Sequence, residues 1–153
     1  MRTGILAIAL CAAAASPLGA AEIAAPYTIT NGSRIDDPIA GLTGDWQRGR
    51  TLFFDQNLTG CSACHGSPGG PGAETFDGSE EAPSLDGIAG RMSVGEIRLW
   101  IVAPETIDPN AAMPGFFLAG QRTEAGSPLI NGPWLSAQQV EDIVAYLARQ
   151  KTP

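Results

Sequence analysis

The helical spacing of apolar residues is clearest near the C-terminus of this chain. From Val140 to Leu147 they recur at i, i+3, i+4 and i+7, which is the pattern of one buried helical face. Ser136 and Gln139 come just before this stripe in the order of a capping box. We therefore predict a helix that begins after Ser136 and ends near Gln150.

Two earlier helices are indicated by similar signals. Ser93 and Glu96 form another capping box ahead of an apolar stripe that stops before Pro104. A first helix is predicted from Asp45, as the N-cap, to Phe54.

Gly49 is an unusual residue for the interior of the first predicted helix. A helix glycine costs about 1 kcal/mol relative to alanine. Gly49 shares a face with Phe53, four residues later. We therefore expect another stretch of backbone to approach the helix closely at Gly49.

The segments between these helices are long and rich in glycine and proline. Residues 22–43 are predicted to be an extended N-terminal segment with turns at Asn31-Gly32 and Asp37-Pro38. Residues 66–92 and 104–135 form loops of a length that usually surrounds something in a compact domain. No strand pattern or repeat is present, so we predict one all-α domain over residues 44–153.

The N-terminus has the features of a cleaved secretory signal. A positive Arg2, an apolar stretch over residues 5–15 and small residues up to Ala21 predict a signal peptide over residues 1–21, cleaved after Ala20 or Ala21. Cys11 is expected to leave with it. No later segment reaches 18 consecutive apolar residues, so we predict no membrane span.

The charge of the chain is acidic. Its 9 basic and 16 acidic side chains give a formal net charge of −7, which becomes −8 when Arg2 is removed. Such a balance argues against nucleic acid or anionic lipid as a partner. Lys151 is the only lysine, which excludes a ring of lysines that steers partners toward a cofactor edge.

The run Cys61-Ser62-Ala63-Cys64-His65 carries the chemistry of this sequence. Cys-x-x-Cys-His is the attachment motif of c-type haem, in which both thiols form thioethers and the histidine binds the iron. A zinc site would need ligands that the chain lacks, and a thioredoxin-like site would need a βαβ setting. We therefore predict one covalent haem c per chain, with His65 as the proximal iron ligand.

The sixth iron ligand has two candidates, because His65 is the only histidine and Met92 and Met113 are the only methionines beyond the signal peptide. Met113 lies in the long loop after the second helix, where the chain can turn back across the distal face. We predict that Met113 is the distal ligand and that Met92 packs in the core. The Pro83 carbonyl could accept a hydrogen bond from His65, although an ordinary turn at Pro83 explains the sequence equally well.

Several of these motifs together resemble the class I c-type cytochromes. The resemblance rests on the haem motif, the run Pro83-Ser-Leu-Asp-Gly-Ile-Ala-Gly-Arg91, a Met-Pro loop and a final helix that bears Tyr146. It implies an all-α class I cytochrome c fold, in which Pro83 accepts a hydrogen bond from the ligand histidine. It also implies that Gly49 and Phe53 meet Tyr146 where the first and last helices cross.

A narrower resemblance, over about residues 26–150, is to the SoxX family, the small monohaem subunits of SoxAX cytochromes. The residues that carry it are Asp45-x-x-Arg48-Gly49-Arg50, Ala112-Met113-Pro114-Gly115-Phe116-Phe117 and the final helix from Leu135 to Leu147. Two departures are Gly115, where the family usually has alanine, and the Gly-rich stretch 66–81.

The SoxX resemblance implies a periplasmic subunit that is not an enzyme alone. In SoxAX (L-cysteine S-thiosulfotransferase) thiosulfate is oxidatively coupled to a cysteine of the SoxYZ carrier. The catalytic cysteine lies on the larger SoxA subunit, so no catalytic residue is expected here. This chain would accept the electrons and pass them to another cytochrome.

Two other functions remain open. The chain could be a free periplasmic monohaem electron shuttle, or a haem enzyme with an open iron site. A methionine ligand at Met113 argues against the open site. An obligate subunit should expose an apolar patch, and its candidates could equally pack over the haem: Phe116, Phe117, Leu118, Pro133 and Trp134.

Overall fold

Five α-helices lie in the part of the chain that the structure describes. The computed structural model describes residues 25–67, 82–117 and 134–151. The helices are α1 (Trp46–Phe54), α2 (Cys61–His65), α3 (Ile88–Arg91), α4 (Val94–Val102) and α5 (Ala137–Leu147), with 3-10 turns at Ile39–Gly41 and Pro104–Thr106. Within those three ranges the only β contact is an isolated bridge between Thr30 and Arg34. The predicted all-α fold is therefore confirmed.

The predicted helix starts are also confirmed. The Asp45 carboxylate accepts hydrogen bonds from the second and third backbone N–H groups of α1. Both capping boxes are complete, with reciprocal side-chain and backbone hydrogen bonds at Ser93 and at Ser136. Helix α5 ends at Leu147, three residues before the predicted end. The reason is that the N–H of Gln150 bonds to the Leu147 carbonyl, which tightens the last turn beyond an α-helix.

Helices α1 and α5 cross in direct backbone contact. A Cβ atom on Gly49 would lie 1.8 Å from the carbonyl oxygen of Asp142, and one on Gly44 would lie 2.0 Å from that of Glu141. Both distances are impossible for a real side chain, so only glycine permits this crossing. The close approach expected at Gly49 is confirmed, whereas no local pattern indicated one at Gly44.

A cluster of polar side chains also links α1 to α5. The buried Asp142 carboxylate accepts hydrogen bonds from Arg48 Nε at 2.8 Å and from the Asp45 N–H at 2.7 Å. Gln138 Nε2 donates to it as well, at 2.9 Å. Burial opposes ionisation of this group, but these donors outweigh it and hold the pKa of Asp142 below its ordinary value.

The N-terminal segment is part of the core, which the sequence analysis did not foresee. Ile35 and Ile39 are each 1% exposed. Glu141 accepts a hydrogen bond from the Ile39 N–H at 2.9 Å and forms a buried ion pair with Arg98 at 2.8 Å. Arg98 also donates to the Ile35 carbonyl at 2.6 Å. The segment predicted as extended thus has its backbone fixed by charged side chains of α4 and α5, and it contains one 3-10 turn.

Two predictions concern the ends of the chain. The predicted signal peptide at residues 1–21 lies outside the described residues. None of the helices within the described residues is long and apolar enough to cross a bilayer. The division into a signal peptide, an N-terminal segment and a domain over 44–153 stays a prediction.

Candidate cofactor site

The Cys-x-x-Cys-His run folds into α2, a single turn of helix between two glycines. Gly60, with φ +62°, precedes it, and Gly66, with φ +71°, follows it. Both conformations favour glycine. Cys61 and Cys64 are three residues apart on this turn and so lie on one side of it. The local sequence therefore presents two thiols and the His65 imidazole from one short, tightly bounded element.

A cavity of about 460 Å³ lies beside α2. This volume falls within the range of about 300 to 1,000 Å³ that cofactor and ligand sites occupy. Helices α4 and α5 and the residues before Met113 form much of its wall. The lining residues include Phe53, Cys61, His65, Pro83, Leu85, Ile88, Met92, Ile97, Trp100, Ile101, Met113, Ile143 and Leu147.

His65 has one ring nitrogen committed to the backbone. Its Nδ1 atom lies 2.8 Å from the carbonyl oxygen of Pro83. A carbonyl can only accept, so Nδ1 carries the proton, and in a neutral imidazole Nε2 is then the nitrogen with a free lone pair. The structure thus places together the two residues that the class I resemblance paired, and it leaves one imidazole nitrogen able to bind a metal.

Arg91 holds the loop that carries Pro83, a role that the sequence analysis missed. Its Nη2 atom donates to the Ser84 carbonyl at 2.9 Å, and its Nη1 atom donates to the Asp86 carbonyl. Gly87, with φ +63°, then starts α3. The guanidinium fork therefore fixes two carbonyls of the turn that follows Pro83. The available signal in the sequence was Arg91 itself, after Gly90 at the end of α3.

The two methionines lie at the same cavity. Met92 and Met113 are both half-buried and both line its wall. The predicted ligand Met113 therefore lies at the site, and so does Met92. Their positions alone do not distinguish which of the two would bind the iron. Met113 as the distal ligand remains a prediction.

The two thiols differ in their surroundings. Cys64 is exposed, whereas Cys61 is half-buried and lines the cavity. Burial raises the pKa of the Cys61 thiol above its ordinary value. Across the described ranges no three His, Cys, Asp or Glu side chains converge on one point, so the zinc alternative finds no ligand set there.

The side chains at this site fit a haem. The cavity has walls of aliphatic and aromatic side chains, which suit the faces of a porphyrin. It is lined by the His65 imidazole, two thioether sulfurs and Cys61, and Cys64 lies on the same helical turn as Cys61. These are the donor types that bind haem iron and form covalent links to its vinyl groups.

Where the structure describes them, the candidate residues of an apolar docking patch are at least half-buried. Phe116 is 5% exposed and Phe117 is 1% exposed. Trp134 packs on Phe116 with ring centroids 5.2 Å apart, and Tyr27 packs on Phe117 at 6.2 Å. These aromatic rings bury one another in the core, because two consecutive phenylalanines stabilise the protein more there than in water. Leu118 and Pro133 lie outside the described residues.

Comparison with known proteins gives matches of two kinds. Residues 46–151 match the family model described as Cytochrome c. The structure is similar to one described as the crystal structure of SoxXA from P. pantotrophus. That match has a TM-score of 0.62 and 26% identity, and covers 80% of this chain and 93% of the other. A comparison with curated protein sequences found no match.

Proposed function

The chain belongs to the cytochrome c family, and from this premise we propose that it is the electron-accepting subunit of a SoxAX-type cytochrome. As a cytochrome c it is an electron carrier with covalently bound haem c. The finer assignment is carried by one observation, the likeness to SoxXA. That likeness covers nearly the whole of the matched chain at 26% identity and agrees with the sequence resemblance to SoxX over residues 26–150.

The residues of this chain have distinct parts in holding the cofactor. Cys61 and Cys64 would form the two thioethers, and His65 would bind the iron through Nε2. The Pro83 carbonyl keeps the proton on Nδ1, which fixes both the tautomer and the ring orientation. Haem c, when bound, supplies a one-electron iron couple. The apolar wall excludes water from it, and Met113 is proposed to occupy the distal position.

One haem per chain is the stoichiometry we propose. Protein matured in a host that assembles c-type haem should show, by intact mass, one added haem that survives extraction with acidified acetone. A haem that extracts, or a second added haem, would contradict the proposed attachment through Cys61 and Cys64 alone.

The proposed reaction couples thiosulfate to a cysteine thiol of a SoxYZ carrier. A sulfur–sulfur bond forms, the thiol proton is released, and two electrons leave. This chain would receive those electrons one at a time and pass them to another cytochrome. Its only thiols past the signal peptide are Cys61 and Cys64, which the haem would consume. The catalytic cysteine is therefore expected on a SoxA-type partner.

The proposed location is the periplasm. The signal peptide predicted for residues 1–21 would direct secretion, and c-type haem attachment suits that compartment. Cleavage of the signal also removes Cys11, which leaves no thiol for a structural disulfide.

The decisive experiment compares the purified chain with a reconstituted pair. Thiosulfate-dependent electron release is measured with the SoxYZ carrier present, first for this chain alone and then together with a SoxA-type cytochrome. We expect no activity from the chain alone and full activity from the pair. A useful control is the pair with a SoxA variant that lacks its catalytic cysteine.

Two results would contradict the subunit assignment. Activity from the isolated chain would make it an enzyme of its own. Failure to form a complex with any SoxA-type cytochrome, at micromolar concentrations of both, would leave a free carrier.

A free periplasmic electron shuttle is the second candidate, and one observation favours it. Among the residues that the structure describes, only Trp46 and Val94 are large hydrophobic side chains with substantial exposure, at 40% and 46%. An obligate interface usually needs a larger apolar patch. Co-purification of the native protein from the periplasm separates the two candidates, because a shuttle would be recovered without a stable partner.

A further inference from the structure

The basic residues of this acidic protein fall into two groups. In the described residues Arg34, Arg48 and Arg98 each form an ion pair with a carboxylate. The other four are exposed and form no ion pair with any described residue: Arg50, Arg91, Arg149 and Lys151.

Two of these four cations lie on aromatic rings at the crossing of α1 and α5. The Arg149 guanidinium carbon lies 4.6 Å from the centre of the Trp46 ring. Arg50, one helical turn after Trp46, lies 5.1 Å from the centre of the Phe54 ring. Each ring attracts the cation above it and limits its rotation, so the charges are held in place without being neutralised.

The other two cations adjoin the same crossing. Lys151 follows Arg149 by two residues, and its carbonyl oxygen would lie 3.2 Å from a Cβ on Gly90, the residue before Arg91. The Ala89 N–H donates to the carbonyl of the residue before Lys151 at 2.9 Å. We name this group of exposed cations and the two rings beneath them the basic face: Trp46, Arg50, Phe54, Arg91, Arg149 and Lys151.

No carboxylate of the described residues forms an ion pair with a cation of the basic face. Asp86 lies near the face, because its charge and that of Arg50 act in opposite directions on the pKa of the Tyr146 hydroxyl. Its side chain accepts a hydrogen bond from the Ser84 hydroxyl at 3.2 Å. Asp45, beside Trp46, caps α1. The face therefore keeps a local excess of positive charge on a chain whose net charge is strongly negative.

We propose that the basic face is a docking surface for a carboxylate-rich region of a protein partner. The net negative charge of the chain would repel a membrane or a nucleic acid, both of which present negative charge over long distances. A compact acidic patch on a protein could contact the four cations and avoid that repulsion. Exposed tryptophan and arginine are also the residues that protein interfaces favour.

The basic face lies one aromatic layer from the cofactor cavity. Phe54 contacts Phe53 with ring centroids 5.3 Å apart, and Phe53 lines the cavity. A partner bound at the face would therefore be close to the cofactor as well as held by charge. The surface is separate from the buried aromatic cluster around Phe116.

The test is an NMR titration of the nitrogen-15-labelled holoprotein with a hexaglutamate peptide as the probe. We expect amide shifts confined to the basic face and to the backbone beside it, and weaker binding as ionic strength rises. Arg149→Gln and Lys151→Gln should each weaken binding about two- to fivefold. Arg34→Gln, which removes a half-buried charge that is paired with Asp36, should leave the affinity unchanged.

Several results would overturn the proposal. One is a set of shifts that lies elsewhere or is scattered over the surface. Another is an equal loss of affinity in Arg34→Gln, which would reflect net charge alone. Equal shifts with inorganic phosphate would indicate a simple anion site, and comparable binding of anionic phospholipid vesicles would indicate a membrane. No SoxA-type or SoxYZ protein is present in this assay, so its outcome is independent of the proposed subunit role.

Discussion

The two sides of α5 are stabilised by different kinds of interaction. On one side are the contacts of α5 with α1 and with the N-terminal segment, which we call the crossing region. There, carbonyls meet glycines directly, and the carboxylates of Glu141 and Asp142 each accept several hydrogen bonds. On the other side Ile143 and Leu147 face the cofactor cavity, whose wall is mainly apolar.

The difference shows where the protein depends on its cofactor. Every buried polar side-chain atom in the described residues has a hydrogen-bond partner, and the crossing region completes those bonds within the chain. The cavity has few such fixed partners, and the principal one is the His65–Pro83 contact. The buried polar groups of the crossing region therefore find their hydrogen-bond partners within the chain, whereas the cavity needs a bound group to fill its apolar volume.

The largest effect is expected from breaking the buried ion pair of the crossing region. Glu141→Ala leaves Arg98 charged and unpaired in the core and also removes the acceptor for the Ile39 N–H. We expect the free energy of unfolding to fall by about 3 to 5 kcal/mol, measured by urea denaturation of the holoprotein.

The control for this change keeps the acceptor but removes both charges. Arg98→Met combined with Glu141→Gln should cost less than Glu141→Ala alone, because no charge is left buried without a partner. Arg34→Ala, which breaks an exposed pair with Asp36, should cost less than about 1 kcal/mol. A double variant as unstable as Glu141→Ala would contradict this account.

The second effect tests the backbone contact of the crossing region. Gly49→Ala places a methyl group against the Asp142 carbonyl and should lower the free energy of unfolding by about 3 kcal/mol. Gly90→Ala adds the same group where the nearest atom, the Lys151 oxygen, is 3.2 Å away. Its cost should stay below about 1 kcal/mol, as read from thermal unfolding, and equal costs would show that the crossing is not close-packed.

The third effect concerns the cavity and distinguishes which of its two methionines binds the iron. Met113→Ala and Met92→Ala each remove a half-buried side chain, so each should cost about 2 kcal/mol of unfolding free energy. Only Met113→Ala should abolish the methionine-to-iron charge-transfer absorption of the ferric protein. Each variant is thus the packing control for the other, and the reverse spectra would assign the ligand to Met92.

The smallest effect is a pH dependence of the stability that the crossing region contributes. The pKa of Asp142 lies below its ordinary value in the folded protein. The carboxylate therefore adds stability above the unfolded-state pKa of about 3.9, and this stability is lost as the pH falls through the lower folded-state pKa. Asp142→Asn should cost about 1 kcal/mol at neutral pH.

The pH profile of unfolding measures that effect. The difference in stability between the protein and Asp142→Asn should be constant from neutral pH down to about pH 4 and shrink below it. Asp37→Asn is the matched control, because Asp37 is exposed and forms no hydrogen bond or ion pair with a described residue. A difference that persists unchanged at low pH would mean that the charge of Asp142 is not what stabilises the crossing.

Local signals in the sequence were enough to predict the three longest helices, α1, α4 and α5. The short helices α2 and α3 were not predicted, and α3 lies in a segment that was predicted to be a loop. Asp45, Ser93 and Ser136 begin the three longest helices because their side chains satisfy backbone N–H groups only a few residues away. Gly49 indicated a close approach because a glycine inside a helix needs a compensating contact. The attachment run at residues 61–65 depends on spacing within one helical turn, so its chemistry was also readable from the sequence.

Contacts between distant parts of the chain were decided by the tertiary structure alone. Arg98 and Glu141 are 43 residues apart, and their pairing with the backbone at Ile35 and Ile39 leaves no local pattern. Phe116 and Phe117 carried no signal for burial over exposure, because an apolar run suits a core and an interface equally. The basic face likewise exists only once α1, α3 and the end of α5 are packed together.

The sequence by itself therefore determined where the longer helices begin and predicted which residues hold the haem, because caps, helical spacing and the attachment motif act over a few residues. The tertiary structure decided which charges are buried in pairs, which remain exposed, and which apolar side chains line the cavity. Those outcomes depend on distances between elements far apart in the chain, which are set only when the helices pack.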